Sequence, residues 1–139
     1  ISVWGAGRVG MHLSTRGDSY GIDDSNPAAT FTYLARELGR RRLAFLFVRE
    51  SLAAPRLGPD LKRAFGGPYI ANERLTTADA VDLIVRGEAD AAAWGQLFIA
   101  NPDLPRRLIE QLPLNTPDQT TFYQGGERGY LDYPNLAAA

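Results

Sequence analysis

The sequence contains no cysteine and one histidine, His12. Without thiols, disulfides and thiolate metal sites are excluded, and one imidazole alone does not make a zinc centre. Charge is balanced: 15 Lys and Arg against 16 Asp and Glu leave a formal net charge of −1. That balance gives no footprint for nucleic acid or an anionic membrane. No apolar run approaches the roughly 20 residues of a membrane helix, and no signal peptide is visible, so a cytoplasmic location is the default expectation. Methionine occurs once, at Met11, within a strand-like segment, and the chain opens on Ile1. It reads as the interior of a longer protein.

What is present is an alternation. RVGMHLS (8–14) is a strand candidate with apolar residues at Val9, Met11 and Leu13. A polar loop, RGDSYGIDDSNP, follows, and Asn26 with Pro27 marks a helix start that Gly39 closes. Arg40, Arg41 and Arg42 end this helix, where cations complement the helix dipole. LAFLFV (43–48) has the continuous apolar character of a strand buried on both faces. A helix over 58–65, a strand at 69–71, a helix capped by Thr76 or Thr77, a strand over 89–94 and a helix from Pro102 to about Gln111 complete the series. The last segment, TFYQGGERGYLDYPNL, is aromatic, Gly-rich and irregular, and is expected to lie back across the fold.

Four strand–helix units in a row predict parallel α/β architecture. A doubly wound sheet and half of a (β/α)8 barrel both satisfy the pattern; a full barrel needs about 250 residues. Polar or glycine residues follow each strand: Ser14, Glu50, Asn72 with Glu73, and Gly95 with Gln96. In both architectures ligands bind at that end. Gly95 could admit backbone amides close to a phosphate, or be a plain turn glycine. His12, a lone histidine within a strand, reads more readily as a structural hydrogen-bonding residue than as a catalyst. Asp23 and Asp24 read as solvated loop charges rather than a general acid/base pair. Tyr123, Tyr130 and Tyr133 read as packing anchors for the tail, with Tyr123 also placed to line a pocket. The residues alone indicate a phosphate-binding half of an α/β fold and no particular reaction.

The ordered motifs FIANPDLPRRL, PLN, TFYQGG and GYLDYP resemble the end of the old yellow enzyme family. RVGMHLS is similar to that family's fifth barrel strand, LAFLFVRE to the sixth, YIANE to the seventh and DAAAWGQLFIANPDL to the eighth. The bacterial subgroup of xenobiotic, nitrate-ester and N-ethylmaleimide reductases is resembled most. The resemblance implies that residues 1–139 are the C-terminal half, strands five to eight with their helices, of a single FMN-binding TIM-barrel domain. The implied activity is that of an FMN-dependent NAD(P)H oxidoreductase, an ene or nitro reductase. Its electron-poor alkene, nitro or nitrate-ester substrate takes hydride in a ping-pong scheme.

By position, the resemblance implies that Ala71, Asn72, Glu73, Gly95 and Gln96 hold the FMN phosphate through backbone amides. His12 stands where the family places an arginine beside the flavin, and Tyr123 lines the substrate side. Gln96 stands where many members carry arginine, so weaker phosphate binding is expected unless another cation substitutes. The substrate-activating His/His or His/Asn pair belongs to the fourth strand, so no catalytic residue is expected here, and the partner is the N-terminal half-barrel. The competing reading is a non-catalytic half-barrel or assembly module. Another phosphate-binding barrel, such as a sugar-phosphate enzyme, is disfavoured by GYLDYP.

Overall fold

In a computed structural model, residues 1–15, 24–53, 55–123 and 125–136 are described. They form two compact units, Ile1–Ala93 and Trp94–Ala139. The first unit holds β1 (Met11–Ser14), α1 (Pro27–Arg40), β2 (Leu46–Arg49), α2 (Gly58–Phe65), β3 (Tyr69–Asn72), α3 (Thr77–Val85) and β4 (Ala91–Ala92). The second holds α4 (Gln96–Ala100) and α5 (Leu104–Ile109).

The four strands lie in the order β1-β2-β3-β4, every pair parallel. A doubly wound sheet reverses its strand order partway, at the point where ligands bind. This sheet does not reverse, which is the arrangement of a half barrel. Right-handed crossovers in one direction put the helices on one face. The burial alternation agrees: Leu13, Leu46, Val48, Tyr69 and Ala71 are buried. On the opposite face His12 is exposed, while Phe47 and Ile70, its neighbours in register, are half-buried. Facing the buried side are Ala35 and Leu38 of α1, Leu61 and Phe65 of α2, and Ala80 and Leu83 of α3. The α1–α2 approach is so close that a Cβ on Gly39 would stand 2.1 Å from the Phe65 carbonyl oxygen.

Helix starts follow their capping chemistry. Asn26 accepts from the Ala29 amide at 3.2 Å with Pro27 next in line, and Thr76 and Asp79 form a reciprocal capping box. The start of α2 has no local cap. Instead Glu50, buried just past β2, accepts from the amides of Leu57 at 2.7 Å and Gly58 at 2.8 Å. Tyr69 lies beside this carboxylate, and burial, then the Glu50 charge, pushes its phenol well above the usual range.

Several elements differ from the sequence expectation. The first strand begins at Met11 rather than Arg8, because residues 6–8 coil into a 3-10 turn. The second begins at Leu46 rather than Leu43, since α1 runs to Arg40 and Arg42 turns the chain with φ 54. The fourth strand is only Ala91–Ala92, and Gly95 opens α4, a helix not foreseen. The last helix starts at Leu104, two residues after Pro102.

Within the second unit the tail is tied to α5. Arg107, 2% exposed, donates to Asp103 at 2.6 Å and to the carbonyls of Pro113 at 2.8 Å and Pro134 at 2.9 Å. Asp103 accepts from the Leu136 amide, and Asn101 and Asn115 hold the intervening loop.

Glu50→Ala leaves two buried amide donors without their acceptor, so it is expected to cost about 2 kcal/mol of unfolding free energy. Glu50→Gln, which keeps one acceptor, should cost less. Urea unfolding midpoints check both; equal midpoints for E50A and the unaltered protein contradict the capping role.

Candidate functional site

The carboxyl ends of the strands collect the polar residues of the first unit. Register places Ser14 opposite Arg49 and Arg49 opposite Asn72. Strand alternation puts these three on the face that carries His12, Phe47 and Ile70. His12 stacks on Phe47 with centroids 4.1 Å apart and planes at 22°. The Ser14 hydroxyl is buried and has no hydrogen-bond partner among the described residues. The uncovered face is therefore apolar in the middle and polar at its carboxyl rim.

At the end of β3 the backbone leaves the ladder abruptly. The Ala71 carbonyl accepts from Ala93 at 2.9 Å, and the Asn72 carbonyl accepts from Glu50 at 3.0 Å. A strand residue's N–H and C=O point to the same side, so the amides of Ala71 and Asn72 face β4 and β2. Of the three residues 71–73, the first two are paired within the sheet, and Glu73 is the first residue past it. The Asn72 side chain also turns inward, donating to the Ala93 carbonyl at 2.6 Å.

Glu73 and Arg74 both adopt positive φ, 105° and 50°. Side chains rarely take this region, and each such residue costs on the order of 1 kcal/mol. The Glu73 carboxylate, 14% exposed, accepts from Arg49 Nε at 2.5 Å and Nη2 at 3.3 Å. The Arg49 hydrogen bond holds the Glu73 carboxyl below the usual carboxylate range, with the Arg49 and Arg74 charges adding to it against desolvation. Sequence reasoning passed over Arg49 and Arg74. The charged Arg-Glu pair after LAFLFV was a readable signal, whereas the positive φ values were not.

In the second unit Gly95 is exposed with φ −90° and ψ −75°, which any residue can adopt, and a Cβ added there meets no atom within 4 Å. Neither backbone nor packing requires glycine at this point. Gln96, the first residue of α4, is exposed. Tyr123 is 73% exposed with φ 60°, its ring 6.1 Å from those of Phe122 and Tyr130. It is not a packing anchor, and Tyr130 is exposed too. The buried aromatic is Phe122, while the Tyr133 hydroxyl accepts from the Asp118 amide at 2.8 Å.

Asp24 accepts from the Asn26 amide at 2.7 Å, a helix-start role, while Asp23 lies outside the described residues. No cluster of metal-ligating side chains occurs among the described residues, and none of their helices is long and apolar enough to cross a membrane. A groove of about 460 Å³ is lined by Lys62, Gly66, Gly67, Gly87 and Glu88. It lies toward the amino ends of β3 and β4, away from the ligand end. Its charges are paired, Lys62 to Asp90 and Arg56 to Glu88.

No family model matches the sequence. The chain is 35% identical over 137 residues to a probable flavin mononucleotide-dependent alkene reductase of Leishmania infantum, covering 96% of this chain and 38% of that protein. Among solved structures, morphinone reductase in complex with tetrahydroNAD aligns with a TM-score of 0.90 at 39% identity, over 98% of this chain and 38% of the other. The old yellow enzyme from Trypanosoma cruzi aligns with a TM-score of 0.90 at 32% identity, over 98% of this chain and 37% of the other. The chain's homologues are thus old yellow enzymes, the family that includes 12-oxophytodienoate reductases. The chain spans about two fifths of the curated relatives, 38% of the first. The fold is correspondingly the C-terminal half of a TIM barrel.

Because the folded carboxyl of Glu73 is depressed, the unfolded chain takes up its proton first as pH falls. The stability that Glu73 contributes is therefore present at neutral pH and lost as pH drops through its folded value. The stability difference between the protein and Glu73→Gln should hold at neutral pH and shrink as pH falls below the usual carboxylate range. Urea unfolding across that range checks it, and a difference that stays constant contradicts the ion pair.

Proposed function

We propose that this chain is the FMN-phosphate-binding half of an NAD(P)H-dependent ene or nitro reductase, residues 1–139 being part of one barrel domain. The observation that carries the reading is Gly95. It is a glycine that neither its dihedral angles nor its neighbours require, with open space where a Cβ would stand. A residue kept bare at the end of a strand suits close backbone approach to a phosphate. The family relationship supplies the identity of the ligand.

When bound, FMN supplies two-electron transfer between a nicotinamide and an electron-poor alkene, nitro compound or nitrate ester. The chain's own residues hold and orient. Gly95 and Gln96 offer backbone amides to the phosphate, and so does Glu73, past the end of the β3 ladder, with Ala71 and Asn72 fixing that turn from within the sheet. His12, on the uncovered face, donates a hydrogen bond or a positive charge to the flavin edge. Tyr123, exposed in the second unit, lines the substrate side. None of these side chains activates the substrate. That role falls to a partner N-terminal half-barrel, which would cover the apolar centre of the inner face. The same bare face favours a second reading, a non-catalytic half-barrel that serves assembly alone.

Gly95→Ala separates the two readings. It should leave unfolding stability unchanged or raise it by up to about 1 kcal/mol, since a helical conformation suits alanine. FMN affinity of the full-length protein, followed by quenching of flavin fluorescence, should fall about tenfold or more, a loss of about 1.4 kcal/mol or more. Unchanged FMN affinity contradicts the phosphate role.

A further inference from the structure

We propose that Arg74 is the cation that contacts the phosphate monoester at the carboxyl end of β3, with Glu73 acting as its tether and Arg49 as the clamp. The inference deepens the FMN reading and rests on it for the identity of the ligand, though not for the anion site itself.

Three groups meet at this turn, Arg49, Glu73 and Arg74. Two guanidinium groups stand against the Glu73 carboxylate at the end of the sheet where ligands bind in barrels. The two arginines are not equivalent. Arg49 gives both Nε and Nη2 to Glu73, at 2.5 and 3.3 Å. Arg74 only grazes the same carboxylate, its Nε 3.5 Å from Oε1, and its side chain is 77% exposed. Its terminal nitrogens make no hydrogen bond with the described residues. Its donors are therefore available to an incoming anion, in a fork that matches phosphate oxygens.

The backbone argues the same way. Consecutive non-glycine residues at φ 105° and 50° cost free energy that a glycine pair would avoid. The clamp from Arg49, on the neighbouring strand, fixes Glu73 in this turn and so fixes where Arg74 departs from the sheet. The strained turn projects a guanidinium from the rim, where glycines would project nothing. Glu73 also opposes the anion: its negative charge stands beside the cation and limits affinity.

The test is a titration of the full-length protein with inorganic phosphate, following the backbone amides of residues 73–75 by NMR, and a parallel titration with FMN and with riboflavin, which lacks the phosphate. Saturable shifts of these amides with phosphate but not with chloride are expected. Arg74→Ala should weaken phosphate about tenfold, Arg74→Lys should restore part of it, and Glu73→Gln should tighten it. Truncating the exposed Arg74 touches no buried residue, so loss of fold does not confound the result. Arg74→Ala should also weaken FMN while leaving riboflavin unchanged. Absence of a saturable phosphate shift, or a shift that Arg74→Ala does not alter, overturns the proposal. If phosphate binds through Arg74 but FMN and riboflavin bind nowhere, the anion site stands and the flavin reading fails. If FMN binds and Arg74→Ala weakens FMN and riboflavin equally, the flavin reading stands and this proposal fails.

Discussion

Parallel strands cannot be joined by a tight turn, so every strand of this sheet is followed by a crossover before its neighbour is laid down. With strand order unreversed and crossovers of one hand, the helices of the first unit fall on one face. Most of what distinguishes the molecule follows from that. Leu46, Val48, Tyr69 and Ala71 are buried on one side, while His12, Phe47 and Ile70 are left on the face away from the helices of the first unit. A sheet bare on one side and edged by unpaired strands is incomplete by itself, and in a closed barrel the rest of the ring removes both defects.

The same topology decides where chemistry can sit. All four strands end at one rim, so the residues that follow them converge there whatever their separation in sequence. At that rim Glu50 is consumed structurally, capping α2 across the loop after β2. Arg49, one residue earlier, faces the other side and reaches Glu73. Adjacent residues at the end of β2 thus serve opposite faces, Glu50 the start of α2 and Arg49 the turn after β3. The strain at Glu73 and Arg74 persists because the Arg49 clamp offsets part of its cost.

Much of this was legible in the sequence where local chemistry dominates. Asn26-Pro27 and Thr76 begin helices as their capping groups require, and 58–65 is a helix as its pattern indicates. Strand ends were less legible. After Asp90 the run from Ala91 to Trp94 is uniformly apolar, so nothing in it says that only Ala91–Ala92 pairs or that Gly95 opens a helix. The sites divide likewise. Gly95 was readable as a type and position, while the bare space around it needed coordinates. The involvement of Ala71 and Asn72 amides in the ladders depends on register, which no single strand reveals. The role of Arg74 depends on a dihedral angle and on a partner 24 residues from Glu73, Arg49, and no short motif encodes either.

The most direct test of the account is the visible spectrum of the purified full-length protein, before and after incubation with FMN and removal of the excess. Flavin absorbance near one FMN per chain, released intact on denaturation, is the expected result. A folded protein that retains no flavin after incubation contradicts it, and leaves a half-barrel whose rim and inner face serve assembly rather than redox chemistry.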